Sequence, residues 1–222
     1  MERQTDKLTG LISGTELNHA MEALITKGGE FALVCLDIDN LLIINRDFGH
    51  EAGDEVFRLV AKGINRLFPE PCLGFRGTRD AFAILMPGGS KESAFLKAEE
   101  LRKMIFETQL DYTSEDGKRP NQSVSVGVSS YPEDGGRPPD IFRRADSALV
   151  RAKKTGRNTV CLAREEKLIP KTSHFTQAQL DQLSLISEAL SVGEASLMRE
   201  ALDDLIKKYD NDMHEMRLRK SV

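Results

Sequence analysis

Residues 31–39 (Phe-Ala-Leu-Val-Cys-Leu-Asp-Ile-Asp) constrain the fold of this chain more than any other segment. The apolar run 31–36 is far too short to span a membrane, and a short continuous apolar run predicts a strand buried on both faces. Its end is unusual, because Asp37 and Asp39 stand where a core strand would carry apolar residues. Carboxylates at a strand end either bind a hard cation or are simply solvated, and the spacing alone leaves both interpretations open.

The pattern before residue 164 predicts a mixture of helices and strands. Helices are expected at 13–26, 41–48, 55–67, 90–107 and 138–155, and further strands at 72–76, 81–86, 124–128 and 159–162. The two strands around Gly77 predict a hairpin that carries Asp80, and residues 49–54 read as a glycine-containing connection.

Beyond the polar stretch 164–167 the pattern changes. A short segment at 169–175 precedes predicted helices at 176–190 and 194–209, followed by a polar tail to residue 222. The sequence therefore predicts two domains, at residues 1–164 and 165–222.

Composition limits the possible functions. Charged residues make up 30% and the net charge is −4, so nucleic acid could be held only by a local patch rather than by bulk positive charge. The first residues lack the apolar core of a secretion signal. The three cysteines lack CxxC spacing, which favours reduced thiols over zinc or disulfides. We expect a cytoplasmic protein with no membrane partner.

Residues 5–163 resemble the GGDEF domain of diguanylate cyclases, because separated blocks follow one another in that family's order. The blocks are Asp6–Leu11, Asp37-Ile38-Asp39, Asn45, Gly49-His50, Gly53-Asp54, 76–82, 125–128, 145–149, Ala152-Lys153 and Gly156-Arg157-Asn158. The resemblance implies an α+β fold in which helices flank an antiparallel sheet, related to the palm of nucleotide polymerases. It also implies that two such domains, each holding GTP and magnesium, face each other to make cyclic di-GMP.

The resemblance assigns nucleotide contacts to four residues. Asn45 and Asp54 match the family's guanine-contacting positions, and their amide and carboxylate suit the donors and acceptor on the edge of guanine. Lys153 and Arg157 match the phosphate anchors. A solvated basic helix end is the alternative for this last pair.

The magnesium ligands that the resemblance implies are Asp37, the carbonyl of Ile38, and Asp80. Magnesium would come with the bound nucleotide, since it prefers one or two carboxylates together with phosphate oxygens. Asp39 has the alternative of a structural, hydrogen-bonding acid facing the core.

The signature motif itself is broken. The five matching residues read Thr-Arg-Asp-Ala-Phe at 78–82, so Asp80 is kept but Ala81 replaces the glutamate that the family needs. Leu42 stands where a phosphate-binding lysine is usual. Each loss removes a group that stabilises the charge on transferring phosphate, so we expect turnover to be absent or very weak. Arg79 either pairs with phosphate or fills the pocket.

The feedback motif of the family is also missing. The Arg-x-x-Asp positions that bind inhibitory product are occupied by Pro69 and Cys72.

Residues 171–209 resemble a ribbon-helix-helix module, in which strands from two chains pair and enter the DNA major groove. Such a small unit buries too little surface alone, so we expect a homodimer. Thr172 and His174 match the groove-reading positions. However, the segment has four basic and six acidic residues, which is unfavourable for phosphate binding. Dimerisation alone and dimerisation with DNA binding both remain open.

Three hypotheses follow. The first is a non-catalytic receptor for GTP or cyclic di-GMP that acts as a dimeric signalling or transcriptional regulator. The second is an active but weak diguanylate cyclase that makes cyclic di-GMP from two GTP molecules. The third is an interaction or transcriptional protein with a vestigial pocket.

Overall fold

The computed structural model describes residues 4–114, 116–164, 172–190 and 192–219, in two compact units, Met1–Glu166 and Lys167–Val222. The strands are β1 (Ile12–Ser13), β2 (Phe31–Ile38), β3 (Leu73–Arg76), β4 (Ala81–Pro87), β5 (Val124–Tyr131) and β6 (Val160–Leu162). The helices of the first unit are α1 (Leu17–Thr26), α2 (Leu41–Phe48), α3 (His50–Leu67), α4 (Lys91–Glu107) and α5 (Pro138–Lys154). The second unit contains α6 (Gln177–Leu190) and α7 (Glu194–Arg219).

All six strands form one sheet in the order β1-β3-β4-β2-β5-β6. The four inner strands pair antiparallel, whereas the outermost pairs, β1 with β3 and β5 with β6, are parallel. The predicted antiparallel sheet flanked by helices is therefore confirmed at its centre, within a mixed sheet.

The long apolar strand lies at the middle of this sheet, as its sequence predicts. Every residue of β2 is buried, and its side chains alternate between two core clusters. Ala32, Val34 and Leu36 join one cluster, while Phe31 and Leu33 join the other. Because both faces are covered, only the end of β2 leaves polar side chains near solvent.

Two predicted helix starts in the first unit are wrong. Residues 12–13 form β1 beside β3, a 3-10 turn follows at Gly14–Glu16, and α1 begins only at Leu17. α3 begins at His50 rather than at residue 55, so the expected glycine-containing connection is helical and Asp54 lies in an early turn of a helix. β5 also runs beyond residue 128, to Tyr131.

The second unit contains the two expected helices, but α7 continues to Arg219 where a polar tail was expected. Residues 210–219 contain methionine, glutamate, leucine and arginine, with no glycine or proline, so nothing in this stretch ends the helix. The short segment at 169–175, which would supply the paired strand of a ribbon-helix-helix module, lies partly outside the described residues, and its described end, residues 172–175, has no regular secondary structure. None of the helices in the described ranges is long and apolar enough to cross a membrane.

Candidate functional site

The site is built where β2 and β4 approach the turn between β3 and β4. Asp37 pairs across the sheet with Ala81 on one side and with Ser125 on the other. Cross-strand partners project on the same face, so the methyl group of Ala81 stands beside the Asp37 carboxylate. Asp80, the last residue of the turn, is half-buried, and its backbone carbonyl accepts a 3.3 Å hydrogen bond from Ile38 N–H. The three residues predicted to bind magnesium are therefore adjacent.

Lys153 supplies the nearest positive charge. Its Nζ lies 2.7 Å from Asp37 Oδ1, with side-chain exposures of 36% for the lysine and 12% for the aspartate. The contact is an ion pair without the geometry of a directed hydrogen bond, which leaves Asp37 Oδ1 a buried acceptor with no hydrogen-bond partner among the described residues. Burial raises the pKa of Asp37 to about 7; the charge of Lys153 opposes this shift, and that of neighbouring Asp80 adds to it.

The donor set fits a magnesium ion that arrives on phosphate. Asp37, Asp80 and the carbonyl of Ile38 are hard oxygen ligands, and magnesium commonly uses one or two carboxylates and completes its shell with phosphate and water. Within the described ranges, no group of three or more His, Cys, Asp or Glu side chains is assembled to hold a metal. The described side chains alone therefore do not form a metal cage.

Asp39 has a structural role rather than a place in the metal site. It is 2% exposed, and its carboxylate accepts hydrogen bonds from the Ser123 hydroxyl (2.8 Å), the Ser125 hydroxyl (2.7 Å) and the Asn158 N–H (3.0 Å). The last bond fixes the turn after α5, in which Arg157 is exposed with a φ of 64°. Asp39 thus holds the predicted phosphate-binding arginine next to the end of β2.

Arg76, which sequence reasoning did not single out, stabilises the turn at residues 77–80 between β3 and β4. Its guanidinium donates to the carbonyls of Gly77 (3.1 Å), Ala81 (2.7 Å) and Arg79. Arg79 is exposed and has a φ of 57°, a left-handed conformation that favours glycine. The turn therefore keeps a glycine-like backbone although its side chain is that of arginine.

Asn45, one of the two residues predicted to contact guanine, packs against a glycine of α3. A Cβ built on Gly53 would lie 1.9 Å from Asn45 Oδ1, so the asparagine amide packs directly on the backbone of α3. The contact is at Gly53, the residue before Asp54. Asn45 Oδ1 is buried and has no hydrogen-bond partner among the described residues. Sequence reasoning missed this packing because it assigned Gly53 to a connection between two helices, whereas the residue lies inside α3. Leu42, on the same helix α2, is 59% exposed.

In the second unit, Thr172 and His174 are both exposed. Large apolar side chains on α6 and α7 are exposed as well, among them Leu185 (62%), Leu190 (60%) and Leu202 (54%).

Two family models match this chain. The model of the diguanylate cyclase GGDEF domain matches residues 3–159, and the ribbon-helix-helix model matches residues 167–210. Both resemblances drawn from the sequence are confirmed.

Curated relatives include diguanylate cyclases. The chain is 32% identical over 163 residues to diguanylate cyclase DgcP of Pseudomonas aeruginosa, covering 72% of this chain and 24% of that protein. It is 31% identical to a diguanylate cyclase of Vibrio cholerae, covering 72% of this chain and 50% of that protein. The chain therefore spans half or less of the length of these relatives.

Solved structures agree with this fold. The GGDEF domain of DgcB from Caulobacter crescentus, in complex with c-di-GMP, matches with 30% identity and a TM-score of 0.63, over 73% of this chain and 98% of that one. The active GGEEF domain of a diguanylate cyclase from Vibrio cholerae matches with 28% identity and a TM-score of 0.61, over 75% of this chain and 100% of that one.

Proposed function

We infer a function from the premise that this chain belongs to the GGDEF domain family of diguanylate cyclases. We propose that it binds a guanine nucleotide, GTP or cyclic di-GMP, and converts GTP very slowly or not at all. Bound nucleotide then acts as a signal that the dimeric chain passes on.

The observation that carries this proposal is the pairing of Ala81 with Asp37. Ala81 occupies the position of the glutamate in the family's signature motif. It lies directly beside Asp37, and its side chain is only a methyl group. Phosphoryl transfer depends on positioned charge, and removing one such group typically costs about a hundredfold to a thousandfold in rate. Leu42, exposed in place of the usual lysine, removes a second charge. The two losses support binding without efficient turnover.

The surroundings of the residues that we propose to bind nucleotide support this. Asn45 packs on Gly53, next to Asp54, and its buried Oδ1 has no hydrogen-bond partner among the described residues, so it is a polar atom of the kind that a ligand can satisfy. Lys153 lies at the end of β2, and the turn that carries Arg157 is held by Asp39. Asp37 and Asp80 would hold the magnesium that accompanies GTP.

Titration calorimetry with GTP and with cyclic di-GMP, each in magnesium buffer, tests binding. We expect heat from at least one nucleotide in the intact chain and a loss of that heat in Asn45→Ala and Asp54→Ala. A matched control is Asp47→Ala, since Asp47 is an exposed acid on α2 whose partner is the exposed Arg46. Folded protein that gives no heat with either nucleotide contradicts the proposal.

Turnover separates the proposal from the alternative, an active diguanylate cyclase. Incubation with GTP followed by chromatography should yield little or no cyclic di-GMP. Steady production at the rate of a related cyclase would favour the alternative.

The second unit supports a homodimer. The exposed leucines of α6 and α7 are too numerous for a stable monomeric surface, and ribbon-helix-helix units gain their core from a second copy. Light scattering on the full chain should give twice the monomer mass. Leu202→Asp should shift it towards the monomer, while Leu96→Asp, at an exposed leucine of α4, should not.

DNA binding by this unit is the remaining part of the proposal. Thr172 and His174 are exposed in the segment that precedes α6. A gel-shift assay with DNA from the protein's own promoter region, with and without GTP, tests for a complex. Thr172→Ala with His174→Ala should abolish any sequence-specific shift. Dimers that bind no DNA under either condition would indicate dimerisation alone.

A further inference from the structure

The ammonium group of Lys153 lies beside Asp37, one of the predicted metal ligands. Lys153 Nζ lies 2.7 Å from Asp37 Oδ1, close to the separation of a strong ion pair. Asp37 is 12% exposed in its side chain, so the lysine meets a carboxylate that is largely shielded from water.

We propose that Lys153 is a built-in cation of the nucleotide site, so that a guanosine triphosphate binds this chain without needing a divalent metal. The inference rests on the proposed function, because it specifies the form in which the nucleotide is bound. The chain should bind free GTP about as tightly as it binds GTP in complex with magnesium.

The first reason is the charge of the site. A divalent cation is needed where several carboxylates and a triphosphate meet, since their mutual repulsion must be offset. Ala81 removes one negative charge from the position beside Asp37. Of the two remaining acids, Asp37 is already in contact with the ammonium group of Lys153, so less positive charge is required than where both signature acids are present.

The second reason is the geometry of the lysine. An ammonium group has three N–H donors, and the ion pair of Lys153 with Asp37 lacks the geometry of a directed hydrogen bond. The lysine side chain is 36% exposed, which leaves N–H donors open to a phosphate oxygen. Lys153 can therefore bridge a carboxylate and a phosphate, as a metal ion would, with a smaller charge.

The third reason is that the backbone beneath Lys153 is fixed. Its neighbour Ala152 is fully buried, and the carbonyl of Ala152 accepts a 3.1 Å hydrogen bond from the N–H of Arg157. The next residue, Asn158, is tied to Asp39. The lysine therefore starts from a rigid position, and holding it against Asp37 costs less side-chain entropy than for a lysine on a mobile segment.

The test measures the dissociation constant of GTP by titration calorimetry in two buffers, one with EDTA and one with magnesium. We expect the two constants of the unaltered chain to agree within about threefold, a difference well below the tenfold that 1.4 kcal/mol represents. In Lys153→Met, Asp37 loses its cation, and binding should become metal-dependent, with a constant at least about tenfold weaker in EDTA than in magnesium.

Lys154→Met is the matched control, because Lys154 is the exposed neighbouring lysine on α5 and carries the same charge. It should behave as the unaltered chain in both buffers. Thermal melting of each variant by circular dichroism verifies that the fold is retained.

Ala81→Glu gives a second readout that does not depend on activity. Restoring the acid should create a manganese site detectable by electron paramagnetic resonance without nucleotide, whereas the unaltered chain should bind manganese at least about tenfold more weakly. Binding of GTP only in magnesium overturns this inference and leaves the proposed function standing. Absence of GTP binding in both buffers also overturns this inference, and the proposed function then stands only if the intact chain binds cyclic di-GMP.

Discussion

The carboxylate of Asp39 is the point at which stability and nucleotide binding are coupled, and replacing it with alanine tests this directly. The change removes the acceptor of hydrogen bonds from the Ser123 and Ser125 hydroxyls and from the Asn158 N–H, in a residue that is 2% exposed. Hydrogen bonds to a charged group contribute about 1.5–3 kcal/mol each, and serine hydroxyls can rotate to other partners. We therefore expect a loss of about 3–5 kcal/mol in the free energy of unfolding, of a typical total of about 5–15 kcal/mol.

Urea denaturation followed by circular dichroism measures this loss. Asp39→Asn keeps the shape and one acceptor oxygen, so it should cost less than Asp39→Ala. Asp116→Ala is a suitable control because Asp116 is exposed and its contacts are local, so the denaturation midpoint should not move. The folded Asp39→Ala variant should also bind GTP more weakly, since the turn that carries Arg157 is released. A loss below about 1 kcal/mol would refute the role assigned to Asp39.

Three further outcomes are expected. Gly53→Ala places a methyl group 1.9 Å from Asn45 Oδ1, so the asparagine must move. Nucleotide binding measured by calorimetry should weaken at least about tenfold, while the melting temperature is retained or raised. Unchanged binding would contradict the assignment of Asn45 to the site. Because burial raises the pKa of Asp37 from 3.8 to about 7, the folded chain holds this proton more tightly, and the contribution of Asp37 to stability should fall as the pH rises from about 4 to about 7. Urea titrations in EDTA should show that Asp37→Asn lacks this pH-dependent loss of stability. Profiles of stability against pH that run parallel for the unaltered chain and the variant would contradict this role of Asp37. Ala81→Glu combined with Leu42→Lys should increase cyclic di-GMP production from GTP by at least about tenfold by chromatography, and no increase would mean that turnover is blocked elsewhere.

The centre of the fold follows from local pattern. The apolar run at the start of β2, the serine that caps α4 and the proline at the start of α5 each act within a few residues. These signals locate strands and helices, and they place Asp37 at a strand end and Asp80 in a turn.

The errors lie where a distant segment decides the local structure. Ile12–Ser13 is a strand only because β3 offers it an edge, and the sequence around residue 12 contains no sign of that partner. The early start of α3 places Gly53 inside the helix and against Asn45 of α2, a contact that a glycine-containing linker pattern does not indicate. Propensity alone underestimates such tertiary effects.

The same limit applies to the site. Sequence left the role of Asp39 open because its partners, Ser123 and Asn158, lie far away along the chain. The contact between Lys153 and Asp37 was likewise beyond pattern reasoning, although both residues had been assigned to the site. A resemblance can name the residues of a site, but only the folded chain decides which of them touch.

If the chain recognises a guanine nucleotide and leaves it unconverted, as we propose, the bound nucleotide should be recovered intact. Equilibrium dialysis of the intact chain against GTP, with chromatographic identification of the nucleotide on both sides of the membrane, tests both halves at once. We expect an excess of unchanged GTP on the protein side, or of cyclic di-GMP in a parallel dialysis. Equal concentrations on the two sides with both nucleotides, or conversion of GTP to cyclic di-GMP, would contradict the proposal.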